Sequence, residues 1–137
     1  MRAVGDKNQF TPFGIWIREY LRSSGDGLAV TNLDYVIEDF KNKKIMLLEE
    51  KQSGGTLHPA QRLTFKVIDA WLRSSCPASG YDYWGFYVLK FPCGATMPGP
   101  GMTLNGAPIT CEQLKAHCDF TKKACESLNL SVVSQAA

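Results

Sequence analysis

Hydrophobic positions recur at helical spacing in three stretches of the chain. The first opens at Thr11-Pro12, where threonine suits a helix cap and proline the first turn, and Ser23 to Gly25 ends it. The second opens at His58-Pro59 and is predicted to stop at Ser74 to Pro77. Thr110 and Gln113 form a capping-box pattern that opens the third.

Each predicted helix carries an apolar stripe that we expect to be buried. The stripe positions are Phe13, Trp16, Ile17, Tyr20 and Leu21 on the first helix, Leu63, Val67, Ala70 and Trp71 with Phe65, Ile68 and Leu72 on the second, and Leu114, Cys118, Thr121, Cys125 and Leu128 on the third. The stripe of the second helix is broad, so this helix is expected to pack on a sheet.

Extended segments lie between these helices. The stretch from Leu33 to Lys51 has two apolar runs separated by polar residues, which predicts a β-hairpin. Leu28 to Thr31 is a strand of its own or the first half of a long bent strand. Tyr83 to Phe91 follows the second helix, so it is expected to run parallel to an earlier strand through a right-handed crossover. Asn105-Gly106 predicts a second, small hairpin.

The hairpin register places charged residues together at one strand end. If the turn is centred between Lys41 and Asn42, Asp34 lies opposite Glu49. The period of two then puts Lys51 on the face of Glu49 and Glu50 on the other face. Facing carboxylates repel, and a divalent cation such as Mg²⁺ would compensate. The alternative is a strand-end salt-bridge cluster without a metal.

Composition fits one ordinary globular domain. The chain has 137 residues, 45% hydrophobic and 20% charged, with a net charge of +2. We expect a core at about residues 10–91, a C-terminal hairpin and helix at about 102–130, and a flexible tail at 131–137. The small net charge does not indicate a nucleic-acid partner, so binding would require local clusters of Lys and Arg.

The cysteines predict a reducing compartment. There are five, an odd number, without a Cys-x-x-Cys pair or a secretion signal, so we expect a cytoplasmic protein. Cys111, Cys118 and Cys125 are spaced seven apart, and they are interpreted as small buried residues rather than zinc ligands. No apolar run approaches the roughly 20 residues that span a bilayer, which argues against a membrane partner.

Asp34, fourteen intervening residues and then Glu49-Glu50-Lys51 resemble the motif of the PD-(D/E)XK nuclease superfamily. The order helix, strands, helix and strand is also similar, and the resemblance covers about Phe10 to Phe91. Within the superfamily the pattern looks most like small archaeal and viral Holliday-junction resolvases and virus-type replication-repair nucleases. Leu33 stands where the commonest form of the motif has proline.

The resemblance implies an α/β fold with a restriction-endonuclease-like core, extended here by the C-terminal hairpin and helix. It also implies Mg²⁺ or Mn²⁺ bound by Asp34, Glu49 and the backbone carbonyl of Glu50, with Lys51 near the attacking water and no organic cofactor. Glu19 matches an auxiliary carboxylate on the first helix, although it could equally be a solvated residue paired with Arg22. A viral or prokaryotic origin is expected, with the host cytoplasm as the location if the protein is viral.

Phosphodiester hydrolysis requires these residue types. Charge must be neutralised on the phosphate and a water must become nucleophilic, and a metal held by two carboxylates serves both needs. The carboxylates favour the charged ammonium of Lys51, so its expected role is orientation and electrostatic stabilisation rather than that of a base. Gln52 and Gln61 are weaker candidates near the site, and His58 is interpreted as a helix cap rather than a base.

Two functions remain open from the sequence. The first is a Mg²⁺-dependent endonuclease that cleaves DNA, with branched or junction DNA as the expected structure-specific substrate. The second is a catalytically inactive nuclease-fold protein that acts as a nucleic-acid-binding or protein-interaction module. Junction enzymes that this chain resembles work as dimers, so a homodimer is expected, with Trp84, Phe86 and Tyr87 as a possible surface. The candidate phosphate contacts, each of which could be a solvated charge instead, are Arg18, Arg22, Arg62 and Lys66.

Overall fold

The structure, a computed structural model, describes residues 11–21, 31–52 and 54–131. These residues form a mixed α/β domain with three helices and a five-stranded sheet, as the predicted α/β class requires. The elements are α1 (Pro12–Tyr20), β1 (Tyr35–Asp39), β2 (Lys44–Gln52), α2 (Pro59–Ser79), β3 (Asp82–Phe91), β4 (Thr103–Leu104), β5 (Ala107–Pro108) and α3 (Cys111–Cys118). Most of the predicted strand at 28–31 and of the predicted tail at 131–137 lies outside the described residues.

The sheet has the strand order β1-β2-β3-β4-β5. β1 and β2 form the predicted hairpin, and their register confirms a centre between Lys41 and Asn42, because Tyr35 faces Leu48 and Asp39 faces Lys44. Asp39 stabilises the turn by accepting hydrogen bonds from the backbone N–H groups of Lys41 and Asn42. β3 runs parallel to β2 as predicted, whereas β4 and β5 are antiparallel to their neighbours.

Helices cover both faces of the sheet. On one face, which we call the α2 face, Leu47, Phe86 and Val88 pack with Leu57 and Phe65. On the other, the α3 face, the buried cluster consists of Met46, Leu48, Trp84, Tyr87, Leu89, Phe91, Met102, Leu104, Ile109, Leu114 and Phe120. Trp84, Phe86 and Tyr87 are therefore buried within the chain, so the dimer surface suggested for these residues is wrong.

Helix α2 continues beyond Ser74 to Pro77, so the stop predicted there is wrong. Pro77 lies in the last turn, where its missing N–H removes only one backbone hydrogen bond. The helix ends instead at Ser79, and Gly80, which has φ 84°, caps it in the left-handed conformation. The backbone N–H of Tyr81 then donates to Cys76 O at 2.9 Å, which completes this end.

The buried face of α2 differs from the predicted one. Phe65 is buried and Ile68 and Leu72 pack partly against the core, whereas Leu63 and Trp71 are 66% and 67% exposed. The positions that replace the predicted stripe are polar or small: Gln61, Arg62, Asp69 and Cys76. Polar residues can take core positions where they find hydrogen-bonding partners, as Asp69 does with the hydroxyl of Tyr83 at 2.6 Å.

Helix α1 begins at its predicted cap, since Thr11 Oγ1 accepts from the N–H of Gly14 at 3.0 Å. It ends at Tyr20, earlier than predicted. Ile17 is buried, but Phe13, Trp16 and Tyr20 are exposed, so most of the predicted stripe is not part of the core. The rings of Phe13 and Trp16 instead stack on each other, with centroids 5.9 Å apart.

Helix α3 has its predicted capping box but ends at Cys118, so the stripe extended to Leu128 is wrong. Phe120 adopts φ 60°, which ends the helix and places its ring against Trp84 at 4.9 Å between centroids. The chain then returns to β3, where the N–H of Leu128 donates to Phe86 O at 2.8 Å. None of the described helices is long and apolar enough to cross a membrane.

Candidate metal and catalytic site

Asp34 and Glu49 lie next to each other at the end of the β1–β2 hairpin. The N–H of Asp34 donates to Glu49 Oε1 at 2.7 Å, and the N–H of Glu50 donates to Asp34 Oδ2 at 2.9 Å. Each carboxylate is thus held by a backbone amide of the other strand. The geometry continues the observed register by one pair, since Tyr35 faces Leu48.

Glu49 is removed from solvent to an unusual degree for a carboxylate. Glu49 is 2% exposed and Asp34 is half-buried. Burial of a carboxylate is costly unless hydrogen bonds and opposite charge compensate. The ammonium of Lys51 supplies part of this compensation, with Nζ 3.9 Å from Glu49 Oε2. A divalent cation would add positive charge beside the two carboxylates.

Lys51 is fixed by a second contact on the α2 face. Its Nζ donates to Gln61 Oε1 at 3.3 Å, and the same oxygen accepts the backbone N–H of His58 at 3.0 Å. Gln61 is 5% exposed, so this amide lies inside the protein. Gln61, a weak candidate from the sequence, is therefore a direct neighbour of Lys51 in the structure.

The capping box at the start of α2 explains why Gln61 is there. His58 Nδ1 accepts from the N–H of Ala60 at 3.2 Å, which confirms its interpretation as a helix cap. Gln61 is the third helical residue, the position from which a side chain reaches back to the cap N–H. This placement is the sequence signal for Gln61, although it does not reveal the contact with Lys51.

The neighbouring residues Glu50 and Gln52 point away from the carboxylate pair. The hydroxyl of Tyr35 donates to Glu50 Oε1 at 3.2 Å, which confirms that the Glu50 side chain lies on the opposite face from Glu49. Only the backbone of Glu50 lies at the site, where its N–H binds Asp34. Gln52 Nε2 donates to Ala95 O at 2.8 Å and so anchors the loop after β3.

The remaining predicted residues lie on α1, on α2 or outside the described residues. Glu19 is exposed on α1, and no group of three or more His, Cys, Asp or Glu side chains suited to a metal occurs within residues 11–21, 31–52 and 54–131. Arg22 lies outside the described residues. Arg18 and Lys66 are exposed, whereas Arg62 is buried at 9% exposure.

A cleft of about 530 Å³ lies elsewhere, between the loop after β3 and the start of α3. Its lining includes Met102, Ile109 and Cys111 but none of Asp34, Glu49 and Lys51. The candidate site is therefore defined by its charged groups and their hydrogen bonds rather than by this cleft.

Comparison of the chain with models of known protein families, with curated proteins and with solved structures gives no match. A function must therefore be argued from the residues and contacts of this chain.

Proposed function

We propose that the protein is a Mg²⁺- or Mn²⁺-dependent endonuclease of the PD-(D/E)XK type that hydrolyses phosphodiester bonds in DNA, with branched or junction DNA as the preferred substrate. The supporting observation is the pairing of Asp34 with Glu49 through two hydrogen bonds of 2.7 and 2.9 Å. Lys51 lies on the same face, 3.9 Å from Glu49. Two carboxylates and one ammonium at the end of the β1–β2 hairpin are the groups that metal-assisted phosphodiester hydrolysis needs.

The donor atoms fit a hard divalent cation. Mg²⁺ binds through one or two carboxylates and keeps several waters, and both carboxylates lie within reach of one another. In the described part of the chain, Asp34 Oδ2 accepts a hydrogen bond while Oδ1 accepts none. Asp34, Glu49 and the carbonyl of Glu50 would hold the ion. A bound ion neutralises phosphate charge and acidifies a coordinated water.

Lys51 acts as a hydrogen-bond donor in this proposal. An ammonium has three donors and no acceptor, and one of them is directed to Gln61. The others are available to a phosphate oxygen or to the attacking oxygen, where positive charge stabilises the developing negative charge. Gln61 acts as a positioning residue because its contact limits the conformations that the long Lys51 side chain can adopt.

The decisive experiment compares wild type with Asp34→Ala on plasmid, single-stranded and four-way-junction DNA in Mg²⁺, Mn²⁺ or EDTA. We expect EDTA to abolish cleavage and Asp34→Ala to reduce it by at least about 100-fold, because a ligand of the catalytic ion is lost. Glu112→Gln, which changes an exposed carboxylate on α3, is the matched control and should cleave like wild type.

Calorimetric titration with Mg²⁺ completes the test, since Asp34→Ala should also weaken binding of the ion. Cleavage that survives both EDTA and Asp34→Ala would contradict the metal mechanism. Tight nucleic-acid binding without turnover on any of these substrates would favour the second function, a catalytically inactive binding module.

A further inference from the structure

Lys90 on β3 is the direct neighbour of Lys51 on β2. The two residues are paired in the parallel ladder, and the preceding pairs Leu47–Phe86 and Glu49–Val88 share the α2 face. Because side chains alternate along a strand, Lys51 and Lys90 also lie on this face. Adjacent strands are about 4.8 Å apart, so two ammonium-bearing side chains start side by side.

This arrangement is unfavourable for the protein alone. Like charges on directly paired strand positions repel, and they are tolerated where something compensates. Lys51 has Glu49 and Gln61 as partners. Lys90 is half-buried, and within the described ranges it makes no hydrogen bond or ion pair. An anion beside Lys90 would compensate for this repulsion.

The neighbouring strand extends the row of donors. Thr103 on β4 pairs with Lys90, so an ammonium, a second ammonium and a hydroxyl follow one another across three strands. At about 4.8 Å per strand, Thr103 lies roughly 10 Å from Lys51. The row formed by Lys51, Lys90 and Thr103 therefore runs perpendicular to the strands and away from the carboxylate pair.

We propose that Lys90, assisted by Thr103, binds a phosphate of the nucleic-acid backbone next to the phosphate that is cleaved. This inference rests on the nuclease function proposed above and specifies the path of its substrate. Lys51 is held towards Glu49 and Gln61, so it serves the scissile phosphate and leaves the flanking one to Lys90. The bound strand crosses the ends of β2 and β3 towards β4.

The test measures binding of a fluorescent oligonucleotide in EDTA at several salt concentrations, with wild type, Lys90→Gln and Lys90→Arg. A lost phosphate contact reduces the slope of log K against log salt by about 0.7 to 0.9. We expect this reduction for Lys90→Gln, with about fivefold weaker binding at low salt, and a wild-type slope for Lys90→Arg. Thr103→Val should weaken binding without a change of slope, because threonine is uncharged.

Lys122→Gln is the matched control, since Lys122 is exposed and lies in the segment after α3. Its slope and affinity should equal those of wild type. Thermal denaturation separates binding from folding: Lys90→Gln should melt no lower than wild type, because the repulsion by Lys51 is relieved. A variant that melts lower but keeps the wild-type salt slope would show a structural role and would overturn the proposal.

Cleavage in Mg²⁺ is measured in parallel, so the two proposals can fail separately. Binding that depends on Lys90 without metal-dependent cleavage would support the phosphate contact and contradict the nuclease. Cleavage by wild type with an unchanged salt slope in Lys90→Gln would support the nuclease and overturn the role of Lys90. The absence of any oligonucleotide binding by wild type would also overturn it.

Discussion

The buried side-chain oxygen of Gln61 accepts hydrogen bonds from two donors that belong to different parts of the structure. It accepts the N–H of His58, which belongs to the start of α2, and it accepts from the ammonium of Lys51. At the scale of single residues, one side chain thus couples the position of a helix to the orientation of the proposed catalytic cation. Removing the oxygen leaves two donors without this acceptor.

Gln61→Leu tests this coupling. We expect the free energy of unfolding to fall by about 1 to 2 kcal/mol, because the cap N–H and the ammonium lose an acceptor. We also expect kcat for DNA cleavage to fall about tenfold while the Mg²⁺ concentration for half-maximal rate is unchanged, since Lys51 loses its position but Asp34 and Glu49 do not. Gln61→Glu, which retains an acceptor oxygen, is the control and should preserve helix capping. A changed Mg²⁺ requirement at unchanged kcat would contradict the positioning role.

The residues of the proposed site differ in how far a sequence can predict them. Asp34, Glu49 and Lys51 follow from a hairpin whose turn chemistry fixes its centre, and the observed register confirms that centre. Lys90 cannot be placed in this way. Its alignment with Lys51 depends on one extra residue in β3, and a bulge of this kind has no periodic signal in an apolar run such as Tyr83 to Phe91.

At the scale of elements, the irregularity in β3 determines which side chains face each other. Lys44 pairs with Asp82, and the same offset would place Lys51 opposite Leu89. The register shifts between Ile45 and Met46, after which Lys51 faces Lys90. Gly85 lies directly after this shift with φ 121°, a conformation that side-chain-bearing residues rarely adopt.

Gly85→Ala is expected to destabilise the fold by about 2 to 4 kcal/mol. An added Cβ would lie 2.2 Å from Ser127 Oγ, and the positive φ adds backbone strain. Gly106→Ala is the matched control: it has φ 84° but no atom within 4 Å of the added Cβ, so only the strain of about 1 kcal/mol should appear. Urea denaturation of both variants measures the difference. Equal destabilisation would show that contact with Ser127 is not the cause.

The buried faces of the helices differ from the predicted ones for reasons that also belong to single elements. An apolar stripe indicates the buried face of a helix only if no polar residue can occupy the buried positions. On α2, Gln61 and Asp69 occupy them because they hydrogen-bond to Lys51 and Tyr83. Those partners are distant in sequence, so the periodicity of the helix sequence cannot predict them. The predicted end of α3 is wrong for a local reason. Phe120 adopts a left-handed conformation, which its residue type does not favour.

At the scale of the whole molecule, hydrogen bonds on the α2 face connect segments that are distant in sequence. Asp69, Arg73 and Ser127 connect α2, the C-terminal segment and β3: Arg73 donates to Asp69 Oδ2 at 3.0 Å and to Ser127 Oγ at 2.7 Å. The Ser127 hydroxyl oxygen also accepts from the N–H of Phe86 at 2.9 Å. The segment after α3 therefore supports the strand that carries Lys90.

His117, which is 0% exposed, is a titratable group buried on the α3 face. Its Nδ1 accepts from the N–H of Ala124 at 3.0 Å, so Nε2 carries the proton, and no hydrogen-bonding partner for Nε2 is found among the described residues. The rings of Tyr87 and Trp84 lie 4.3 and 5.5 Å away. Burial, and secondarily the charge of Lys123, lower the pKa of His117 from 6.5 to about 4.

This lowered pKa predicts a loss of stability in acid. Between pH 6.5 and about 4 the unfolded chain binds a proton at His117 that the folded chain does not, so the free energy of unfolding falls as pH falls through this range. The full effect is about 3 kcal/mol. Urea denaturation at pH 7, 5.5 and 4.5 should show it, superimposed on the titration of the carboxylates.

His117→Leu isolates the histidine contribution. We expect this variant to be less stable than wild type at pH 7, because the N–H of Ala124 loses its acceptor, but to lose less stability than wild type between pH 7 and 4.5. His58→Asn changes the exposed histidine to another capping residue and should keep the wild-type pH dependence. If His117→Leu and wild type lose the same stability on acidification, protonation of His117 is not coupled to unfolding, and the dense aromatic packing around it must adapt to a charged ring.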